Sequence, residues 1–169
     1  DQVLALQTDD IAILSKAQLL ALTTAQVATF DTTQIQAFKA DQLSVLDTAQ
    51  IAALTTEQFA NLTTSQLVAL TSLQIPALSS AQWAEATTDQ IRALKTTQVA
   101  AIGADDLAGL TSDHMAALVS AQVAALSSTQ IAAVESGDLR VLTTAQVSVL
   151  TVTQAAALSL EQVGALTTV

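Results

Sequence analysis

The single histidine, His114, is the first candidate for chemistry, because imidazole can bind a metal or haem iron and can act as a general base. It stands between Asp113 and Met115. A metal or haem site needs further ligands of matching type, and apart from Asp113 none lies near it in the sequence. We therefore interpret His114 as a replacement for glutamine that makes the same hydrogen bonds.

Carboxylates are the second candidate, since hard oxygen ligands suit calcium. They occur in the pairs Asp9-Asp10 and Asp105-Asp106, and singly at Asp138. Neither a Gly-containing twelve-residue loop nor a glycine-rich nonapeptide accompanies them. We interpret them as acids that satisfy the first turns of helices. The sequence thus predicts no metal and no cofactor.

Hydroxyl groups are abundant, but a serine or threonine nucleophile needs a base, and the chain has one histidine and no cysteine. A strand-turn-helix nucleophile elbow is also missing. The four glycines are isolated and form no phosphate-binding loop, namely Gly103, Gly109, Gly137 and Gly164. The sequence therefore predicts that the chain is not an enzyme.

Glutamine is the most regular polar residue. It recurs at intervals of eight residues or a multiple of eight, at Gln2, Gln18, Gln26, Gln34, Gln42, Gln50, Gln58, Gln66, Gln74, Gln82, Gln90, Gln98, Gln122, Gln130, Gln146, Gln154 and Gln162. The gaps are filled by Asp10, Asp106, His114 and Asp138. This column could bind a ligand, but we favour helix capping with hydrogen bonds between repeats. Likewise the Thr-Thr rows could face ice or carbohydrate, and we favour capping for them too.

The period of eight organises the whole chain. One unit runs Thr-Thr-x-Gln-Val-Ala-Ala-Leu, and we number it so that Thr143 is position 1 and Leu150 is position 8. Twenty full units fill residues 7–166, and positions 5 and 8 are apolar in all of them. We interpret residues 1–169 as a single repeat array. Because it starts and ends partway into a unit, we expect it to be a piece of a longer array.

Positions 5 and 8 stand at i and i+3, which share a face on a helix but not on a strand. A continuous helix fails, because eight residues at about 100° each overshoot two turns by about 80° and the apolar stripe would wind around it. The helix must break once per unit. The break is the capping box Ser/Thr-x-x-Gln, as in Thr23 with Gln26, Thr55 with Gln58, Thr63 with Gln66 and Thr143 with Gln146.

The predicted fold is therefore all-α: a solenoid of tandem eight-residue repeats, with helices of about five or six residues joined by tight Thr/Ser turns. Ordering eight residues costs roughly 8 to 16 kcal/mol, and two buried aliphatic side chains return about 3 to 6, so the units must stack. The alternatives are a β-solenoid with Thr and Gln ladders and a coiled coil.

Several units depart from the consensus and carry their own expectations. Where position 1 cannot cap, we expect position 2 to do so, at Thr8, Thr96, Ser120 and Ser136. At Lys39-Ala40 we expect Asp41 to take over. Pro76 should cost a helical hydrogen bond, so the helix is shifted or distorted there. Trp83 is large where Ala86 is small, which indicates one shared packing layer. Alternation at position 7 suggests two helices per superhelical turn.

The formal net charge of −10 excludes a nucleic-acid partner on electrostatic grounds. Polar residues interrupt every apolar stretch, so no membrane insertion is expected. Absence of cysteine excludes thiol chemistry. The expected partners are a protein or cell-surface component, or the chain itself through its solenoid faces.

Units such as Leu-Thr-Thr-Ala-Gln-Val, at residues 22–27 and 142–147, resemble the octapeptide arrays of very large exported bacterial surface proteins, often described as adhesins or haem-utilisation exoproteins. The resemblance covers the whole chain. It implies an extracellular or bacterial cell-surface location. A haem function gains no support from one histidine without an aromatic pocket.

Three functional hypotheses follow. The first is a structural spacer or stalk that contributes to adhesion by holding a binding region away from the cell. The second is a protein-interaction solenoid, for which unusual residues mark a patch at Trp83, Glu85, Arg92 and Lys95. The third is an ice- or glycan-binding surface formed by the Thr rows.

Overall fold

Short helices follow one another along the chain, one per octad. The structure is a computed structural model that describes residues 3–166, apart from the side chain of Leu4; Gln2 and the partial unit 167–169 lie outside the described residues. The α-helices of this part are α1 (Thr8–Ala12), α2 (Lys16–Leu20), α3 (Thr24–Val27), α4 (Thr32–Ala37), α5 (Ala40–Val45), α6 (Thr48–Ala52), α7 (Thr56–Ala60), α8 (Thr64–Ala69), α9 (Ser80–Ala84), α10 (Thr88–Ala93), α11 (Thr96–Val99), α12 (Ala104–Leu107), α13 (Ser112–Ala117), α14 (Ser120–Ala125), α15 (Ser128–Ala133), α16 (Ser136–Leu139), α17 (Thr144–Val147), α18 (Val152–Ala157) and α19 (Leu160–Leu166). Two 3₁₀ helices, Val3–Ala5 and Ile75–Ala77, complete the set.

Each break lies between positions 8 and 1 of the octad. In the unit 63–70 the N-cap Thr63 is extended, and Leu70 ends the helix with φ −58° and ψ 137°. Both residues stay at negative φ, and across the described residues no φ is positive. The turn therefore needs no left-handed glycine, which explains why an array with so many helix ends holds only four glycines.

The predicted all-α solenoid is confirmed, since residues 3–166 form helices and no strand. The expectation that position 2 replaces a poor cap is wrong. Lys95 and Val119 remain the N-caps of α11 and α14, although their side chains make no cap bond. The carboxamide of Gln98 still accepts the N–H of Lys95 at 3.0 Å. Glutamine thus holds the register where the hydroxyl is missing. Lys39, and not Asp41, likewise caps α5.

Successive helices wind into a superhelix whose turns stack. Each helix packs against the one three units later, as α1 does on α4 and α5 on α8. The side chains at position 4 reach carbonyls 28 and 31 residues earlier, in the fourth preceding unit. A turn therefore holds between three and four octads. The suggestion of two helices per turn is wrong, because position 7 is mostly half-buried and does not set the contact between turns.

The core consists of two apolar rows that run along the inside of the stack. Position 5 is buried in every unit from Ile11 to Leu139, and position 8 from Phe30 to Leu142. Position 6 is mostly exposed, and position 3 is exposed in all twenty units. Helical spacing produces this division, because positions 5 and 8 share one face of each short helix and positions 3 and 6 lie away from it.

Two irregular units show how the array absorbs a poor fit. In the unit 71–78 Pro76 replaces the α-helix by the 3₁₀ helix Ile75–Ala77, which confirms the predicted distortion. In the unit 79–86 the indole of Trp83 is fully buried, and Ala86, three residues later, is buried as well. The ring of Trp83 packs edge to face against that of Phe59, three units earlier, with centroids 5.3 Å apart.

Candidate functional site

The glutamine column is the most ordered polar arrangement of the molecule, and Gln66 shows its geometry. Its Oε1 accepts the backbone N–H of Thr63 at 2.8 Å, at the start of its own helix. Its Nε2 donates to the carbonyl oxygens of Ile35 at 2.8 Å and Phe38 at 2.7 Å, where an earlier helix ends. One amide therefore satisfies the N-terminus of one helix and the C-terminus of another.

The same arrangement repeats along the stack, and we call it the glutamine ladder. Its Nε2 groups donate to position 8 carbonyls at 2.6–3.0 Å and, in all but Gln82, to position 5 carbonyls at 2.8–3.3 Å. The members are Gln34, Gln42, Gln50, Gln58, Gln66, Gln74, Gln82, Gln90, Gln98, Gln122, Gln130, Gln146, Gln154 and Gln162. All are buried. Each ties its unit to the turn before it.

The singled-out capping residues lie at helix starts as reciprocal pairs. Gln26 N–H donates to Thr23 Oγ1 at 3.2 Å while Thr23 N–H donates to Gln26 Oε1 at 2.8 Å. The pairs Thr55 with Gln58, Thr63 with Gln66 and Thr143 with Gln146 have the same two bonds. A short helix leaves most of its backbone groups without intrahelical partners, so these bonds define where it begins.

Sequence reasoning expected glutamine to make hydrogen bonds between repeats, but it did not identify that the amide donates to carbonyls of the fourth preceding unit. The signal was present, because a capping box works with glutamate as well as with glutamine. Position 4 holds sixteen glutamines and no glutamate in the twenty full units. A capping role alone gives no reason for that exclusion. A requirement for two N–H donors does, since a carboxylate has none to give.

His114 stands in for glutamine, as predicted. Its Nδ1 accepts the N–H of Thr111 at 3.1 Å, and its Nε2 lies 2.7 Å from the carbonyl oxygen of Ala86. These partners assign the proton to Nε2. Both ring nitrogens are engaged in a buried site, so the imidazole makes the same two kinds of hydrogen bond as a ladder glutamine.

The aspartates at position 4 are too short to copy glutamine and turn elsewhere. Asp138 Oδ1 accepts the hydroxyl of Ser112 at 2.5 Å, and Asp106 accepts the backbone N–H of Ser80. Asp10 accepts the N–H of Gln7 at 3.0 Å, within its own unit. Within residues 3–166 no three His, Cys, Asp or Glu side chains lie together as a metal site. Each of these carboxylates contacts a helix N-terminus.

Stability should fall as the pH rises through the titration of Asp106. Burial raises the pKa of this carboxyl, the Ser80 N–H lowers it in part, and the charge of Asp105 raises it again. A raised folded pKa means that the folded state holds its proton longer, so ionisation from about pH 3.9 upwards disfavours folding. Urea titrations between pH 3 and 7 should show Asp106→Asn gaining stability relative to the native chain as pH rises. Parallel profiles would contradict this.

Of the four residues proposed as an interaction patch, three lie on the surface and one does not. Including Trp83 is wrong, because its side chain is fully buried in the core. Glu85, Arg92 and Lys95 are exposed, yet within the described residues no hydrogen bond or ion pair joins their side chains. An aromatic at position 5 points inward whatever its size, which the helical spacing already required.

The rest of the surface is repetitive, with exposed hydroxyls and scattered exposed apolar side chains such as Leu73 and Val152. Position 1 residues are exposed in every described unit except Gly103, which is half-buried, and many of their hydroxyls already accept a capping N–H. A cleft of about 390 Å³ near the last turn is lined by Glu135, Ser136 and Glu161 among others. There Ser136 Oγ donates to Glu161 Oε1 at 2.8 Å. No helix within residues 3–166 is long and apolar enough to cross a membrane.

Comparison with known proteins agrees with the repeat geometry. The family model described as the ALTTAQ repeat matches residues 3–40, 35–64, 84–120, 99–134 and 131–168. No curated protein matches the chain. The matched segments cover most of the array and include every ladder glutamine except Gln66, Gln74 and Gln82. By its period, its caps and these matches, the chain belongs to the ALTTAQ repeat family.

Proposed function

We propose that this chain is a non-catalytic structural spacer, a stalk region of a bacterial surface or secreted adhesin-like protein. The glutamine ladder is the observation that carries the proposal. Because every tie joins a unit to the fourth unit before it, each added octad extends the stack by the same increment. A spacer needs such a construction, because its length must increase in proportion to the number of repeats.

The chemistry of the ladder suits a load-bearing role. Its amides are buried, so water cannot readily replace the carbonyl partners, and breaking a tie leaves buried polar groups without partners. The formal charge also suits a stalk. With fifteen acidic and five basic residues, neighbouring chains repel each other. The surface location rests on the resemblance of the octads to arrays of exported proteins.

Deleting residues 55–62 tests the spacer directly. This removes one whole octad, so each later glutamine meets an equivalent carbonyl pair, and the chain should stay folded with a shorter maximum dimension in small-angle X-ray scattering. Deleting 55–58 is the matched control. It breaks the octad register, places position 5 side chains outside the core, and should abolish cooperative unfolding in circular dichroism.

Equal damage from the two deletions would contradict additive construction. Thermal hysteresis, or glycan binding that disappears when exposed threonines such as Thr23 and Thr55 are replaced by alanine, would assign the function to the Thr rows in place of spacing. Substituting Glu85, Arg92 and Lys95 together should leave the dimensions and stability of the spacer nearly unchanged, within about 0.5 kcal/mol for each site.

A further inference from the structure

The aspartates that replace glutamine at position 4 are not scattered. Asp10, Asp106 and Asp138 are separated by 32 residues or a multiple of 32, and 32 residues are the four units that one rung of the ladder spans. They therefore lie on one line of ties, along which each unit is joined to the fourth unit before it. On that line Gln42 and Gln74 make the usual ties to the earlier turn. The next two ties, at Asp106 and Asp138, are missing in succession.

The carbonyls that those ties would have met are left without a side-chain donor. The equivalents of the Phe38 oxygen are the oxygens of Leu78 and Leu110, and among the described residues no side chain donates to either. A carboxylate cannot supply the missing hydrogen. We call the three units involved, 71–78, 103–110 and 135–142, the seam.

Asp106 and Asp138 attach their units to a different neighbour. Ser80 and Ser112, their partners, lie in the third preceding unit and not in the fourth. Gly109 reinforces this attachment, because a Cβ placed there would lie 2.6 Å from the carbonyl oxygen of Ser80. The unit 103–110 thus packs on 79–86, as other units pack on the third unit before them, and lacks the tie to 71–78 that is found elsewhere.

The seam units are also weak on their own. Pro76 removes the α-helix from the first of them. Gly103 is an N-cap without a side chain in the second. In the third, Gly137 lies inside α16 with open space around its Cα, and Glu135 makes no side-chain cap bond. A glycine inside a helix costs about 1 kcal/mol relative to alanine.

We propose that the seam is a built-in line of opening, along which the turns separate locally before the rest of the array unfolds. Separation there breaks only the single bond that Asp106 makes to Ser80 or that Asp138 makes to Ser112, whereas separation elsewhere between turns breaks two carboxamide hydrogen bonds at nearly every rung. An array strained along its length would therefore yield at this line first and keep its other units folded. The inference concerns the stability of the fold and holds whether or not the chain acts as a spacer.

Hydrogen exchange of the intact 169-residue chain, read by mass spectrometry, tests the proposal. Amides in 103–110 should exchange about fivefold faster than those in the tied units 87–94 and 119–126, since two carboxamide hydrogen bonds of about 1 kcal/mol each are absent and only the bond of Asp106 to Ser80 replaces them. Asp106→Gln supplies both donors and should slow exchange in 71–78 and 103–110 by about fivefold.

Asp105→Gln is the matched control, because it removes the same charge from the same helix at an exposed site. It should leave the exchange rates of the seam within about twofold of the native values. Uniform exchange along the native chain, or equal slowing by both variants, would overturn the proposal. Asp138→Gln tests the next rung independently, so a folding failure of Asp106→Gln does not remove the test.

Discussion

Gln66→Glu is expected to destabilise the array by about 2 to 6 kcal/mol, although the two side chains have nearly the same shape. The variant keeps an oxygen for the Thr63 N–H but loses both donors. The carbonyl oxygen of Phe38 then remains buried without a side-chain donor, that of Ile35 keeps only the backbone N–H of Phe38 at 3.3 Å, and each lost bond costs about 1 to 3 kcal/mol. A carboxylate facing two carbonyl oxygens adds repulsion.

Gln18→Glu separates the two roles of the amide. Gln18 caps α2 through the N–H of Ser15 at 2.9 Å, but it is exposed and makes no bond across turns among the described residues. Its replacement should change stability by about 0.5 kcal/mol or less, because glutamate completes a capping box equally well. Denaturant titrations of both variants decide the matter. Equal losses would show that capping, and not the cross-turn tie, is the essential role.

Trp83→Ala should cost about 3 to 5 kcal/mol, because it empties the largest fully buried side chain of the core. Its contact with Phe59 joins two turns of the superhelix, so the cavity falls between turns. Denaturant titration followed by circular dichroism measures the loss. Leu73→Ala is the control, since this leucine is 79% exposed and its truncation should cost less than about 0.5 kcal/mol.

The pairing of Trp83 with Ala86 has its own test. Trp83→Leu combined with Ala86→Leu restores the consensus volumes at positions 5 and 8 and removes the indole N–H, which has no hydrogen-bond partner among the described residues. The double variant should therefore be more stable than Trp83→Leu alone by about 1 kcal/mol or more. Strict additivity of the two substitutions would show that the two residues fill separate layers.

Local features were readable from the sequence because their causes lie within one octad. The pairing of positions 5 and 8 predicted the buried face, and the spacing of Thr23 and Gln26 predicted the cap that they form. The distorted helix at Pro76 was also predictable, since proline lacks the backbone N–H that an α-helix needs, whatever its surroundings. Each of these needs only the geometry of a single helix.

Other features failed because they depend on a second turn of the stack. Position 7 suggested the wrong superhelical repeat, and Trp83 was assigned both to the core and to a surface patch. Asp106 and Asp138 stand in the first turns of their own helices, as expected, but their contacts with Ser80 and Ser112 of other helices were not predicted. Their partners are 26 residues away, a distance that no local pattern encodes.

The sequence by itself determined that the helix breaks once per octad and which side chains it buries, because capping bonds and helical spacing act over three or four residues; the α-helix lengths, four to seven residues, were predicted only as about five or six. Only the tertiary structure decided how many octads complete a turn, and with it which carbonyls the amide of each glutamine meets. That number follows from how neighbouring helices pack around a shared core, and a strict eight-residue repeat is compatible with several such packings. The capping box and the apolar pair at positions 5 and 8 are complete within one unit, whereas the glutamine ladder exists only between turns.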